Sequence, residues 1–418
     1  MSTGQPPLKK MRAADGEGEV VHHLDEGVVG EILLRLPAAS VLRCRAACTA
    51  WRRLADSPAF LAAHARRRPI EIPQYIRTEI WPDGVRRRPL CGSGEDFDLD
   101  AVSVFSGAGD RRKLARFPVA EEDPYCCPLA SCDGLLLVGQ GSGYQMQPYL
   151  VCNPATRQWT ELPRIAARAA GRLKVRESGF YRHAPSGEYR LLCHVMPSDE
   201  VAAQTPPYYC VLSAGADEPR RLAAAARATW RFFADLMTPA ALGGRLHWLR
   251  HMEAGNTGSM VAFDTAAETF SRMPSLPVAC KKNSRLLVAD GGTLMAAELG
   301  DLAFDLWALE GYTMIGGEAA EAGGAMRWER RHRVEVPWYA ERPTVVAGAE
   351  DGSGDVVLGS DYGVVVYNVR SGAVRRVVID GVSERLLLSR IGVLKESLVR
   401  HGFFDARPHP GLPLFRLF

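Results

Sequence analysis

Two histidines four residues apart, His247 and His251, and three close cysteines, Cys126, Cys127 and Cys132, are where metal chemistry is first sought in this sequence. Neither group has ligand spacing. The cysteines lack a second CxxC pair or nearby histidines, and the histidines fall on a predicted strand with no third ligand close by. The glycine-rich GQGSGY at residues 139–144 has neither the lysine nor the strand-to-helix setting of a phosphate loop, and reads as a flexible turn. No HExxH, GxSxG or Walker pattern is present. The scattered carboxylates suggest no acid and base pair by themselves. Nothing here calls for a catalytic residue, a metal or a cofactor, so the elements that carry the remaining chemistry must be sought elsewhere.

The composition, 47% hydrophobic and 24% charged over 418 residues, is that of a folded globular protein of one large domain or two. Forty glycines and 27 prolines spread along the chain imply many turns and therefore many short strands. The net charge of +3 is concentrated in residues 1–68, which leaves the rest nearly neutral and gives no basic face for nucleic acid. No apolar run reaches the roughly 18–20 residues of a bilayer span, and the polar start MSTGQPPLKKMRAADGEGE lacks the apolar core of a signal peptide. LKKMR is a short basic cluster that reads as part of a disordered leader, residues 1–21. The ten cysteines read as reduced, mostly buried thiols, and with the absence of Asn-x-Ser/Thr sites they place the chain in the cytoplasm or nucleus.

Residues 22–68 carry helical periodicity. In LDEGVVGEILLRLP, Val28, Ile32 and Leu36 recur every four residues beside Val29 and Leu33, with Asp25 and Glu26 at the positive end of the dipole and Pro37 as the stop. A second helix is expected over 40–48. A third carries Trp51 and Leu54, and a fourth follows Ser57 as cap with Pro58 in its first position. Four short helices enclose too little volume to bury all of these apolar side chains, so part of the apolar surface must serve another contact.

From residue 69 onward the period changes. YLVCNPATRQWTELP (149–163), MVAFDTAAETFSRMP (260–274) and VVVYNVRSGAVRRVVI (364–379) each read as strand, Asx turn and strand, around Asn153, Asp264 and Asn368. YYCVLSAGADEPRRL is a fourth copy, and LAFDLWALE with MRWERRHRVEVP a fifth containing an insertion. Glycine hairpins such as ASCDGLLLVG and AALGGRLHWLRH alternate with them. Two hairpins per 40–60 residues give four-stranded units, so residues 69–418 are expected to form a β-propeller, six blades preferred.

The front segment resembles an F-box. Leu24, Ile32, Leu33, Leu36, Pro37, Leu42, Cys48, Trp51 and Leu54 fit its pattern, with Asp25 in place of the usual first proline and Ala47 in place of the usual valine. Together with SCDGLLLV, VCNPATRQWTELP and VLKESLVRHGFF, the chain resembles plant F-box proteins that have an F-box-associated or kelch-like propeller. The resemblance implies a Skp-type adaptor as partner, linked to cullin and RING subunits, with Leu24, Ile32, Leu36, Pro37, Leu42, Trp51 and Leu54 facing or shaping that contact. It also implies that the propeller holds a protein substrate for ubiquitination and that the chain itself is not an enzyme. The alternative is an enzyme or carbohydrate-binding propeller on whose body the helices merely pack. For substrate contact, the aromatic loops TPPYY and VPWYAERP offer Tyr208, Tyr209, Trp338 and Tyr339, which serve equally well as blade cores.

Overall fold

The computed structural model describes residues 25–81, 84–88, 97–104, 111–117, 126–142, 145–165, 173–197, 207–223, 239–249, 260–277, 284–289, 291–300, 302–315, 318–321, 326–337, 343–349, 353–360, 362–377, 393–405 and 416–418. They divide into two compact units, residues 1–67 and 68–418.

The first unit is four helices: α1 (Glu26–Arg35), α2 (Ala38–Ala47), α3 (Thr49–Asp56) and α4 (Pro58–Arg67). Each boundary has a local chemical cause. Asp25, the residue that replaces the usual proline, caps α1, its carboxylate accepting from the Gly27 amide at 3.1 Å. Pro37 has no amide to lose at the start of α2, and its carbonyl accepts from Ser40 and Val41, so that helix begins two residues before the expected Ser40. Cys48 is extended and caps α3, its Sγ accepting from the Trp51 amide at 3.4 Å. Ser57 caps α4 through the Phe60 amide at 3.2 Å, with Pro58 in the first position. Val29, Leu33, Ala38, Val41, Ala55, Phe60 and Leu61 form the buried interior. The ring of His64 lies among them, stacked on Phe60 and hydrogen-bonded through Nε2 to the Leu36 carbonyl at 2.9 Å, which ties α4 to the end of α1.

The second unit is a six-bladed β-propeller in which each blade is a four-stranded antiparallel sheet, the first enlarged to five. Blade I contains Glu71–Trp81, Gly84–Arg88, Phe97–Ser103, Arg111–Phe117 and, from the far end of the chain, Arg416–Leu417. Blade II is Cys126–Cys132, Leu135–Ser142, Gln145–Asn153 and Gln158–Glu161. Blade III is Leu173–Arg182, Tyr189–Pro197, Tyr208–Ser213 and Arg220–Arg221. Blade IV runs from Ala240–Leu242 and Arg245–Trp248 to Met260–Asp264 and Thr269–Met273. Blade V comprises Ser284–Ala289, Thr293–Leu299, Ala303–Glu310 and Arg327–Glu335, with the hairpin Tyr312–Ile315 and Glu318–Glu321 inserted before its outer strand. Blade VI is Pro343–Gly348, Asp355–Ser360, Gly363–Asn368 and Val374–Val377. Residues 139–142 of GQGSGY are paired strand in blade II where a flexible turn was expected, and residues 143–144 lie outside the described residues.

The period of two explains why the ring closes. Successive side chains of a strand face opposite neighbours, and both faces are covered. In blade II, Leu136, Val138 and Leu150 meet Leu99, Leu114 and Phe117 of blade I, while Leu135, Leu137 and Tyr149 meet Leu191, Cys193 and Val195 of blade III. The same exchange joins III to IV through Tyr209 and Trp248, IV to V through Met260 and Leu294, and V to VI through Phe304 and Val356. Val357, Val364 and Val366 of blade VI then pack on Ile70, Ile72 and Val102 of blade I. The turns set the register. Asn153, Asp264 and Asn368 each accept from two amides just beyond them, the repeated Asx turn expected from sequence, and Asp133, Gly134, Gly243 and Gly244 take positive φ in two-residue turns.

Candidate functional site: an apolar helical stripe and two unlike propeller ends

On α1 the apolar residues split between two faces. Leu33 is 1% exposed, whereas Val28 and Ile32, one turn apart, are 48% and 47% exposed. They are two of the five large hydrophobic side chains that stand exposed among the described residues. Of the residues implied by the F-box resemblance, Ile32 and Pro37 are exposed and Leu36, Leu42, Trp51 and Leu54 half-buried, so none belongs to the fully buried interior. Leu24 lies outside the described residues. Burial of the module's core thus uses one set of apolar positions and leaves another partly in water. The charges around the stripe are ordinary for a solvated surface. Arg67 forks onto Glu31 at 2.7 and 3.1 Å and Arg45 meets Asp56 at 2.8 Å.

The two ends of the blades differ. In blades II to VI the hairpins joining first to second and third to outer strands fall at one end, and the connections between blades leave from the other. Over blades I to III the turn end carries the C-terminal segment 393–405. Leu394 exchanges two backbone hydrogen bonds with Glu71, Ser131 donates to the Val393 carbonyl at 2.6 Å, and Asn153 Nδ2 donates to the Ser397 carbonyl at 3.1 Å. Farther on, His401 stacks on Phe403 and both rings meet Tyr189 edge-on, while Tyr189 donates to Asp133 at 2.9 Å. A Cβ on Gly134 would collide with Ser397 and the Lys395 carbonyl, so glycine is required there by contact as well as by φ. Glu396, nearly buried, lies 3.5 Å from Arg68 and 3.6 Å from Arg112, and Arg112 also holds Glu71. Burial and the neighbouring Glu396 raise the Glu71 carboxyl above its ordinary value, against the pull of Arg112.

At the opposite end, Tyr208 opens the third strand of blade III, half-buried, with the exposed Arg221 guanidinium 4.0 Å above its ring. Tyr209 beside it is a correction to the sequence reading: it is 4% exposed, stacked on His194 and against Phe270, and belongs to the core between blades III and IV. A strand starting at a loop sends adjacent tyrosines to opposite faces, and only one can look outward. Trp338 and Tyr339 lie outside the described residues.

No group of three or more His, Cys, Asp or Glu side chains suited to a metal ion occurs among the described residues. His247 is buried, hydrogen-bonded to the Ala240 carbonyl at 3.1 Å and to Tyr312 Oη at 2.9 Å, and burial lowers its pKa to about 4. His251 lies outside the described residues. His194 is likewise lowered to about 4 by burial, helped by Arg176. Trp248 donates Nε1 to the Ser178 carbonyl at 3.0 Å and so joins blade IV to blade III. The sequence reading missed the clasp at the turn end, because its members are hundreds of residues apart and only VLKESLVRHGFF hinted at it.

A small helical module with apolar residues left in water, ahead of a closed propeller, defines a two-part binding protein. The chain joins an F-box to an F-box-associated β-propeller: residues 22–62 match the F-box domain family and residues 112–301 the F-box associated beta propeller domain family. An F-box/kelch-repeat protein of Arabidopsis thaliana is 31% identical over 144 residues, which cover 34% of this chain and 31% of that protein, so the match spans about a third of the relative's length. Among solved structures, the nidogen/laminin complex gives a TM-score of 0.39 at 11% identity, covering 76% of this chain and 95% of that one. Oligogalacturonate lyase in complex with manganese gives 0.38 at 11% identity, covering 75% and 89%.

Proposed function

We propose that this chain is the substrate-recognition subunit of a Skp–cullin–F-box ubiquitin ligase acting in the cytoplasm or nucleus. The observation that carries the reading is the stripe of Val28 and Ile32 exposed on α1 beside the half-buried Leu36, Leu42, Trp51 and Leu54, in the segment that matches the F-box family. Burying such a stripe in an adaptor groove supplies about 25 cal/mol for each Å² of apolar surface removed from water. The adaptor leads on to the cullin and RING subunits. The propeller contributes no reacting group: it holds a protein substrate so that a substrate lysine meets the charged conjugating enzyme, and the gain is one of proximity. The turn end is occupied over three blades by residues 393–405, so the substrate is read at the other end, where Tyr208 with Arg221 is the described contact of suitable chemistry.

The test is co-purification of the full chain with a Skp-type adaptor, with Val28→Ser/Ile32→Ser and Leu36→Ala/Pro37→Ala as controls. Capture by wild type and its loss in the serine pair, with the propeller still folded by circular dichroism, supports the reading. No capture by wild type overturns it. A substrate found with the assembled complex should be released by Tyr208→Ala with Arg221→Ala while the adaptor stays bound.

A further inference from the structure

The chain contains 51 lysines and arginines, of which only seven are lysines: Lys9, Lys10, Lys113, Lys174, Lys281, Lys282 and Lys395. No lysine occurs between residues 11 and 112, a span that includes the four helices, or between 283 and 394, which covers the whole of the last two blades. The fold explains only part of this bias. Where a planar fork is used, as for Arg67 on Glu31 and Arg116 on Asp98 at 2.7 and 3.0 Å, arginine is needed. On the outer strands the ion pairs are made by a single nitrogen, Arg220 Nη2 on Glu268 and Arg333 Nη1 on both Asp305 oxygens at 3.2 Å, contacts that a lysine amine can also make. The solvent edges of these strands need charge to prevent pairing with other sheets, a task for which lysine is well suited. Yet Arg220–Arg221, Thr269–Met273, Arg327–Glu335, Val374–Val377 and Arg416–Leu417 carry arginines and no lysine. Arg330, for one, is exposed and reaches Asp305 only at 3.9 Å.

The two cations differ in one property that matters to a ligase subunit. A lysine amine, once deprotonated, attacks the thioester carbonyl of ubiquitin on the conjugating enzyme. The C–N bond forms, the C–S bond breaks, and the enzyme's cysteine leaves as thiolate, taking up the proton released by the amine. A guanidinium stays protonated and cannot serve as that nucleophile. A receptor subunit is also held near the conjugating enzyme for as long as the complex lasts, so its own lysines are at higher effective concentration than those of a passing substrate.

On the ligase reading above, we propose that arginine in place of lysine over the F-box and the blade edges keeps this chain from becoming the acceptor of its own complex. Self-modification is left to the few lysines that remain. Of those described, Lys174 is exposed, while Lys113 lies 3.5 Å from Asp98 and 5.2 Å over the Phe418 ring.

The experiment compares the full-length wild type with Arg330→Lys/Arg375→Lys/Arg376→Lys, three exposed edge positions at which charge is conserved. Each is assembled with adaptor, cullin and RING subunit and supplied with ubiquitin-charged conjugating enzyme, and conjugates on this chain are mapped by mass spectrometry. Both proteins carry the same lysine-bearing C-terminal peptide as an internal acceptor. The expected result is at least a threefold faster self-conjugation in the variant, with new linkages at 330, 375 or 376. Equal rates, with the peptide modified in both, overturn this inference alone. Absence of the adaptor from the purified wild-type complex overturns the ligase reading and this inference with it.

Discussion

The helical module and the propeller dispose of apolar side chains in opposite ways. In the propeller both faces of a strand are covered, so that adjacent Leu135 and Leu136 are each fully buried, one toward blade III and the other toward blade I. In α1 the adjacent Ile32 and Leu33 part company, one in water and one in the interior. A closed ring gives every blade two neighbours. A module of four short helices has too small an interior for all its apolar residues. On the ligase reading proposed above, apolar surface is the partner contact in the first unit, while in the second the chemistry of recognition falls to the ends of the blades.

The comparison is tested most severely by removing a side chain from the ring. Phe304 is fully buried between blades V and VI, and Phe304→Ala should cost about 3–5 kcal/mol, read from urea denaturation, while leaving adaptor capture by the helical module intact. Loss of adaptor capture in that variant would show that the two units do not divide the work. Leu33 and Ile32 supply the matching pair in the first unit. Leu33→Ala should destabilise the module by about 3 kcal/mol. Ile32→Ala should change stability by under about 0.5 kcal/mol and yet weaken adaptor binding about tenfold. Equal effects of both on folding would erase the distinction between stripe and core.

Acid should act on the propeller through two buried rings. His194 and His247 are buried in the propeller with pKa values lowered to about 4, against about 6.5 in the unfolded chain. Between those values the unfolded state binds more protons, so stability is fully present above pH 6.5 and falls as pH drops toward 4. The loss should be on the order of 2–3 kcal/mol for each ring by pH 4.5 and should shrink in His247→Gln. A stability curve flat from pH 7 to 4.5 would contradict the buried neutral state of these rings.

What was legible in the sequence follows the range of the interactions. Ser57 with Pro58, the Asx turns at Asn153, Asp264 and Asn368, and the glycine hairpins are set by residues within four positions of one another, and the chain displays them openly. The six-blade ring was legible because period-two strands recur at a nearly constant spacing. The clasp of Glu396 with Arg68 and Arg112 was not, since a pairing over hundreds of residues leaves no local pattern. Nor was the division between Tyr208 and Tyr209, which depends on where a loop hands over to a strand. On α1, periodicity grouped Val28 and Ile32 with Val29 and Leu33 in one broad apolar face. Which half of that face would be covered depended on how α2, α3 and α4 pack.

The smallest expected effect sits at the entrance to that helix. Asp25 stands where the F-box pattern has proline, and its carboxylate accepts from the Gly27 amide, so its charge also meets the positive end of the α1 dipole. Asp25→Ala should cost about 1 kcal/mol of module stability, whereas Asp25→Asn, which keeps an acceptor but not the charge, should cost less. Because the site precedes Val28 by one turn, fraying there displaces the start of the exposed stripe before it reaches the buried Leu33. Adaptor affinity measured at a temperature well below unfolding should therefore fall in Asp25→Ala and recover in Asp25→Asn. If affinity is unchanged while stability drops, the first turn of α1 belongs to the fold alone and the contact begins at Ile32.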